Sequence, residues 1–207
     1  LAGLFNDGNV YALLGSENAA LYDDIWMGTL YSIDKLSGYW MKLYDQELLD
    51  YVSYPNESNL QYSLTLGANL ISFPSDMAYG VEEALPSSLD GVVTSILSEG
   101  ESATYDGGQW FGSLDQFEGF KGYWFISNAA VNFQFDLDGV GLARTILKPK
   151  QYLAGYEYNQ STMQSFYYIQ EIPMAELGDW IVAYNDDVVV GAREWTGYMS
   201  DIPVMGY

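Results

Sequence analysis

Short stretches of alternating apolar and polar residues run through most of the chain. Residues 122–127 and 131–136 alternate in this way, placing Tyr123 and Phe125, then Val131, Phe133 and Phe135, on one side of a strand. Residues 62–73 (YSLTLGANLISF) read as a strand ending at Pro74, with Gly67 marking a bulge or turn. Residues 102–111 read as a hairpin turning at Asp106-Gly107-Gly108. The period changes over residues 81–98, where Val81, Ala84, Leu85, Leu89, Val92, Val93, Ile96 and Leu97 fall at helical spacing. Pro86 and Gly91 divide that stretch into two short helices. Gly112 to Phe117 reads as a helical turn that Ser113 can cap. The unit predicted for this stretch is therefore β-α-β-β-α-β-β. Beyond it, residues 152–207 read as β throughout: Met163 to Ile172, Asp179 to Tyr184 and Val188 to Trp195, with turn signals at Gly178-Asp179 and Asn185-Asp186-Asp187.

The pattern repeats. Residues 26–40 (WMGTLYSIDKLSGYW) match residues 110–124 (WFGSLDQFEGFKGYW) without a gap. Trp26, Gly28, Leu30, Gly38, Tyr39 and Trp40 recur 84 residues later as Trp110, Gly112, Leu114, Gly122, Tyr123 and Trp124. Upstream, Ala20, Tyr22 and Asp23 recur 83 residues later as Ala103, Tyr105 and Asp106. The one-residue slip falls between Asp24-Ile25 and Gly107-Gly108-Gln109, where a hairpin turn absorbs an insertion. The first copy begins around Gly8-Asn9-Val10, and nothing before it corresponds to residues 62–74. Either the copy was cut from a longer repeat array, or another chain supplies its first strand.

These elements predict an α+β fold dominated by β-structure. Residues 1–55 form a truncated first repeat, residues 56–143 a complete second repeat, and residues 144–207 a β-rich, sandwich-like C-terminal module. Arg144, Lys148, Pro149 and Lys150 mark a linker ahead of that module.

Composition narrows the function. The net charge is −21 with seven Lys and Arg, so the chain lacks the basic face that nucleic acid or an anionic membrane surface needs. No apolar run is long enough to span a bilayer. There is no Cys and no His, which removes disulfides, thiolate chemistry, the commonest general base and the usual zinc ligands. The chain starts at Leu1, without Met or a signal segment, and reads as a mature or excised piece of a longer precursor.

Candidate chemistry is sparse. Asp136-Leu137-Asp138-Gly139 has the spacing of a calcium loop, making Asp136 and Asp138 the metal candidates, although a simple turn explains them too. Asp186-Asp187 is a turn with exposed acids. Glu99, Glu101, Asp106, Asp115 and Glu118 supply carboxylates of the kind glycosidases pair, but 28 acidic residues make such pairs common. No cofactor motif is present, and no Ser has a His partner. Asn56-Glu57-Ser58 and Asn159-Gln160-Ser161 fit the N-glycosylation triplet at Asn56 and Asn159. In each Gly-Tyr-Trp, strand alternation turns one ring inward, so core packing competes with sugar stacking by Tyr39, Trp40, Tyr123 and Trp124.

The pattern NLISFP … SEGESATYDGGQWFGSL … KGYWF resembles a module of large secreted, multidomain surface proteins of environmental bacteria. There the pattern W-N-L-I-x-F-P precedes W-x-G-S-L and G-Y-W; here Ala68 stands where the Trp is usual. The stretch NQSTMQSFYYI … LGDWIVAYNDDVVVGAREW … DIPVMGY is similar to a β-rich module that often follows it. The resemblance implies secretion and residence at the cell surface, and it carries over no catalytic residue.

The expectation is a non-catalytic extracellular structural protein that assembles with copies of itself, or with neighbouring modules of its precursor, as a filament, matrix or surface layer. The alternative is a glycan-binding or adhesive module.

Overall fold

A computed structural model describes residues 9–45, 57, 59–137 and 152–206. Strands dominate. The helical content of the described residues is one turn of α-helix and one 3-10 turn, so the α+β expectation is corrected to a β-rich fold. No helix among them is long and apolar enough to cross a membrane.

The first sheet has four antiparallel strands: β1 (Val10–Leu14), β2 (Ala19–Asp23), β3 (Ile25–Gly28) and β4 (Trp40–Leu43), in the order β3-β2-β1-β4. The chain continues through β5 (Tyr62–Leu64), β6 (Gly67–Ser72), β7 (Tyr79–Gly80), helix α1 (Val81–Ala84) and the 3-10 turn Ser87–Leu89. Next come β8 (Val93–Leu97), β9 (Ser102–Asp106), β10 (Gln109–Gly112), β11 (Gln116–Phe117), β12 (Gly122–Ser127) and β13 (Val131–Phe133). Five of these form the second sheet, in the order β10-β9-β8-β12-β6, while β5 pairs with β13 and β7 with β11.

The two sheets share one register. Leu13 pairs with Ala20 and Met41, as Ile96 pairs with Ala103 and Phe125. The pairing slips between Val10 and Ala12 in the first sheet, and at the equivalent place opposite Ile126–Ser127 in the second. Even the bulge recurs. The 83-to-84 slip sits in the β-turn: Asp24 alone (φ 60°) separates Asp23 from Ile25, whereas Gly107 and Gly108 (φ 57° and 92°) separate Asp106 from Gln109.

That bulge accounts for the largest departure from the predicted elements. Val93 and Ile96 are both fully buried on the core face, three residues apart, because the irregularity inserts a residue between them. A bulged strand thus imitates helical spacing, and the second predicted helix of residues 81–98 is the strand β8. Gly112 to Phe117 is also not a helical turn. Gly112 ends β10, Leu114 N–H bonds to Ser102 O at 2.9 Å, and β11 pairs with β7. Ser113 caps nothing; its hydroxyl accepts from Ser102 N–H at 3.3 Å. Gly67 (φ 101°) turns the chain between β5 and β6, and Asn69 fills that turn with bonds to Thr65 and Gly67.

The main core lies on one face of the second sheet. Phe117 sits at its centre, stacked on Phe73 (5.3 Å, 19°) and edge-on to Tyr123 (4.9 Å, 88°) and Phe135 (5.4 Å, 76°). Such aromatic pairs add about 0.5–1.5 kcal/mol each beyond area burial. The first sheet has a smaller core of Val10, Leu13, Ala20 and Leu30, backed by Trp26, Tyr39, Met41 and Leu43.

The last four strands are β14 (Gln164–Ile169), β15 (Trp180–Asn185), β16 (Val188–Glu194) and β17 (Ser200–Met205). Here β14 pairs with β17 and β15 with β16, and Gly191 lets the Pro203 carbonyl approach where a Cβ would sit. Within the stretch read as β throughout, the sequence pattern assigns no separate strand at β17, which is buried on both faces and carries Pro203 and two polar residues. The predicted linker at Arg144–Lys150 lies outside the described residues.

Candidate functional site

The repeat-signature residues form a framework in both sheets. Gly28 (φ 135°) and Gly112 (φ 131°) end equivalent strands, and a Cβ on either would lie 2.2 Å from a carbonyl oxygen, that of Ala19 or Ser102. Leu30 and Leu114 follow, each buried to 4% exposure, with N–H groups bonded to those same carbonyls. Tyr39 and Tyr123 point inward, and their hydroxyls accept the N–H of Asp34 (2.9 Å) and Glu118 (2.7 Å). Trp26 rests against Tyr22 and Trp110 against Tyr105, with ring centroids 5.4 and 5.3 Å apart. Trp40 and Trp124 take the opposite face, half-buried. Gly38 and Gly122 meet: a Cβ on Gly122 would lie 3.0 Å from Gly38 Cα. The signature is therefore largely a set of close approaches and core contacts.

The carboxylates do not converge on a cleft. Asp106 lies at a hairpin tip, Glu99 and Asp115 are exposed, and Glu118 pairs with Lys121. Glu118 and Glu101 both act on the Tyr123 phenol. Asp136 is exposed, on a shallow depression with Gln61, Ser88 and Gln134. Asp138 lies outside the described residues, and among those described no group of three or more Asp and Glu gathers. Asp186 (φ 51°) and Asp187 form the exposed turn between β15 and β16. Asn159 is exposed, and Asn56 lies outside the described residues.

Two features were not read from the sequence. The first is how the sheets join. Leu36–Gly38, just before β4, takes the edge of β6 that β12 leaves open. Gly38 N–H donates to Leu70 O and Ser72 N–H to Leu36 O, both at 3.1 Å, and the Ser72 hydroxyl donates to Lys35 O at 2.6 Å. With Leu70 O and Ser72 N–H turned that way, the main-chain groups of Ile71 face β12 opposite Tyr123. The same register in the first sheet turns the N–H and C=O of Met41 away from β1. Among the described residues no strand pairs with β4 on that side, where β12 has β6.

The second is a buried polar cluster that ties the last four strands to the outer side of the second sheet. Asp201, 1% exposed, accepts the hydroxyls of Ser102 and Ser113 at 2.8 Å each and faces Arg193 Nη2 at 3.4 Å. Arg193 also donates to Gly100 O at 2.6 Å, and Gln164 donates to Ser98 O at 2.8 Å. Tyr198 meets Phe111 edge-on at 5.4 Å. The paired serines align with Ala19 and Thr29 of the first sheet, which is a signal only the repeat alignment carries.

Burial raises several phenols. It pushes Tyr168, beside Ser102, up to about 12, and moves Tyr62, Tyr123 and Tyr158 in the same direction. In the unfolded chain these groups ionise near pH 10, so above that pH the unfolded state holds fewer protons than the fold. Stability is full below about pH 10 and falls between about pH 10 and 12, with Tyr168 alone accounting for about 2–3 kcal/mol. Guanidinium melts at about pH 9 and pH 11 measure this. An unchanged midpoint would contradict it, and Tyr168→Phe should flatten the slope.

No family model, curated protein or solved structure matches the chain.

Proposed function

We propose that this chain is a non-catalytic, extracellular structural protein that assembles by strand complementation at β4. One observation carries the reading. Two sheets repeat each other's register, bulge included, yet the second continues past β12 into β6, and among the described residues the first stops at β4. An edge whose main-chain groups point outward is a template for another strand. The repeat supplies its register: a β6-like segment lies antiparallel to β4 with its leucine opposite Trp40, as Leu70 lies opposite Trp124. The acidic composition, the Tyr-rich surface and the resemblance to secreted bacterial surface modules support the extracellular setting.

A synthetic peptide of residues 66–74 tests this on the full chain. It is expected to bind and to suppress association at high protein concentration. The same peptide with Ile71→Pro lacks the N–H that faces the acceptor strand and should do neither. Equal behaviour of the two peptides, or a chain that never associates, would remove the reading.

A further inference from the structure

The repeat also says what the outer faces of the sheets are for. In the second sheet, Ile126, Ser95, Thr104 and Phe111 form one cross-strand row on the face away from the core. The last four strands cover this side, with Tyr198 on Phe111 and Asp201 on the neighbouring Ser102. The equivalent row in the first sheet is Lys42, Ala12, Leu21 and Met27, with Ile25 beside it. Leu21, Ile25 and Met27 are 55%, 65% and 49% exposed. Where the covered face has Ser102 and Thr104, this one has Ala19 and Leu21, while Thr29 keeps the hydroxyl of Ser113. Its occupant is therefore apolar at the contact, with an acidic neighbour for Lys42.

The chain carries such a surface at its other end. In the loop between β14 and β15, Met174 is 98% exposed and Leu177 76%, and Glu176 stands exposed between them. Met174 is held at φ 69°, an uncommon conformation for a non-glycine residue, in a turn that presents it outward.

We propose that the outer face of the first sheet, at Leu21, Ile25 and Met27, receives the Met174–Leu177 loop of a second copy of this chain. The contact is heterologous, so each molecule offers one socket and one knob, and repetition gives an open head-to-tail array. Its apolar residues lie on β2 and β3, at the opposite side of the sheet from the β4 edge, so substitutions there leave that edge intact.

Sedimentation velocity on the full chain tests it, with excess residue 66–74 peptide present to remove any pairing at β4. Wild-type protein should grow in size with concentration up to roughly millimolar, the range in which weak contacts become visible. Leu21→Asp with Met27→Asp removes the socket, and Met174→Asp with Leu177→Asp removes the knob; each protein alone should remain monomeric. Mixed in equal amounts, they retain one intact contact and should form a heterodimer and nothing larger. Leu21→Thr with Met27→Gln is a milder socket variant, giving position 21 the residue type of Thr104, should the aspartates disturb the strand. A monomeric wild type, a mixture that stays monomeric, or a knob variant that still dimerises through its own sockets would overturn the proposal.

Discussion

Asp201→Ala should cost about 3–5 kcal/mol, because it leaves a largely buried guanidinium without its countercharge. Arg193 would keep its bonds to the carbonyls of Gly100 and Asp201 and lose the carboxylate. The Ser102 and Ser113 hydroxyls would lose their shared acceptor, in a place where Ser102 is wholly buried. Asp201→Asn keeps an acceptor oxygen for the two serines but also removes the countercharge, so it should recover only the serines' part of that loss. The damage should fall first on the attachment of the last four strands. Limited proteolysis should therefore release a piece from residues 152–206 before the second sheet unfolds. A denaturation midpoint within about 0.5 kcal/mol of wild type would show that the cluster contributes no net stability.

Gly112→Ala and Gly28→Ala should each cost about 3 kcal/mol or more, and by similar amounts, since both combine a disfavoured φ with a methyl driven onto a backbone carbonyl. Gly107→Ala is the control. It shares the positive φ, yet nothing lies within 4 Å of its added Cβ, so it should cost about 1 kcal/mol. Thermal or chemical melts of the three variants measure the difference. If Gly28→Ala is no worse than Gly107→Ala, the carbonyl approach does not explain why both copies carry glycine.

The hairpins were legible because their signals are local. Asp106-Gly107-Gly108 names its own turn, and the slip from 83 to 84 residues in the repeat marks a place where one turn is a residue longer. The strands at residues 122–127 and 131–136 were legible because Tyr123, Phe125 and Phe133 alternate with residues that face away from the core, although the second ends at Phe133. Strand β8 was not, because its bulge puts Val93 and Ile96 three apart on one face, which by spacing alone reads as helix. Strand β17 was not, because SDIPVM buries Asp201 and Pro203, two residue types that speak against a buried strand unless their partners are known.

The candidate surfaces divide in the same way. The signature glycines and aromatics stood out by repetition, and residues 62–74 stood out as a stretch with no match beside the first copy. By itself, the sequence determined that two units share one build, because identical residues at constant spacing impose the same hairpins, the same glycine approaches and the same inward tyrosines. Only the tertiary structure decided how the units join, which carboxylate is buried and which faces stay exposed. Those outcomes depend on pairs far apart in the chain, such as Gly38 with Leu70 and Ser102 with Asp201, whose fit is set by packing and hydrogen-bond geometry that no local pattern records.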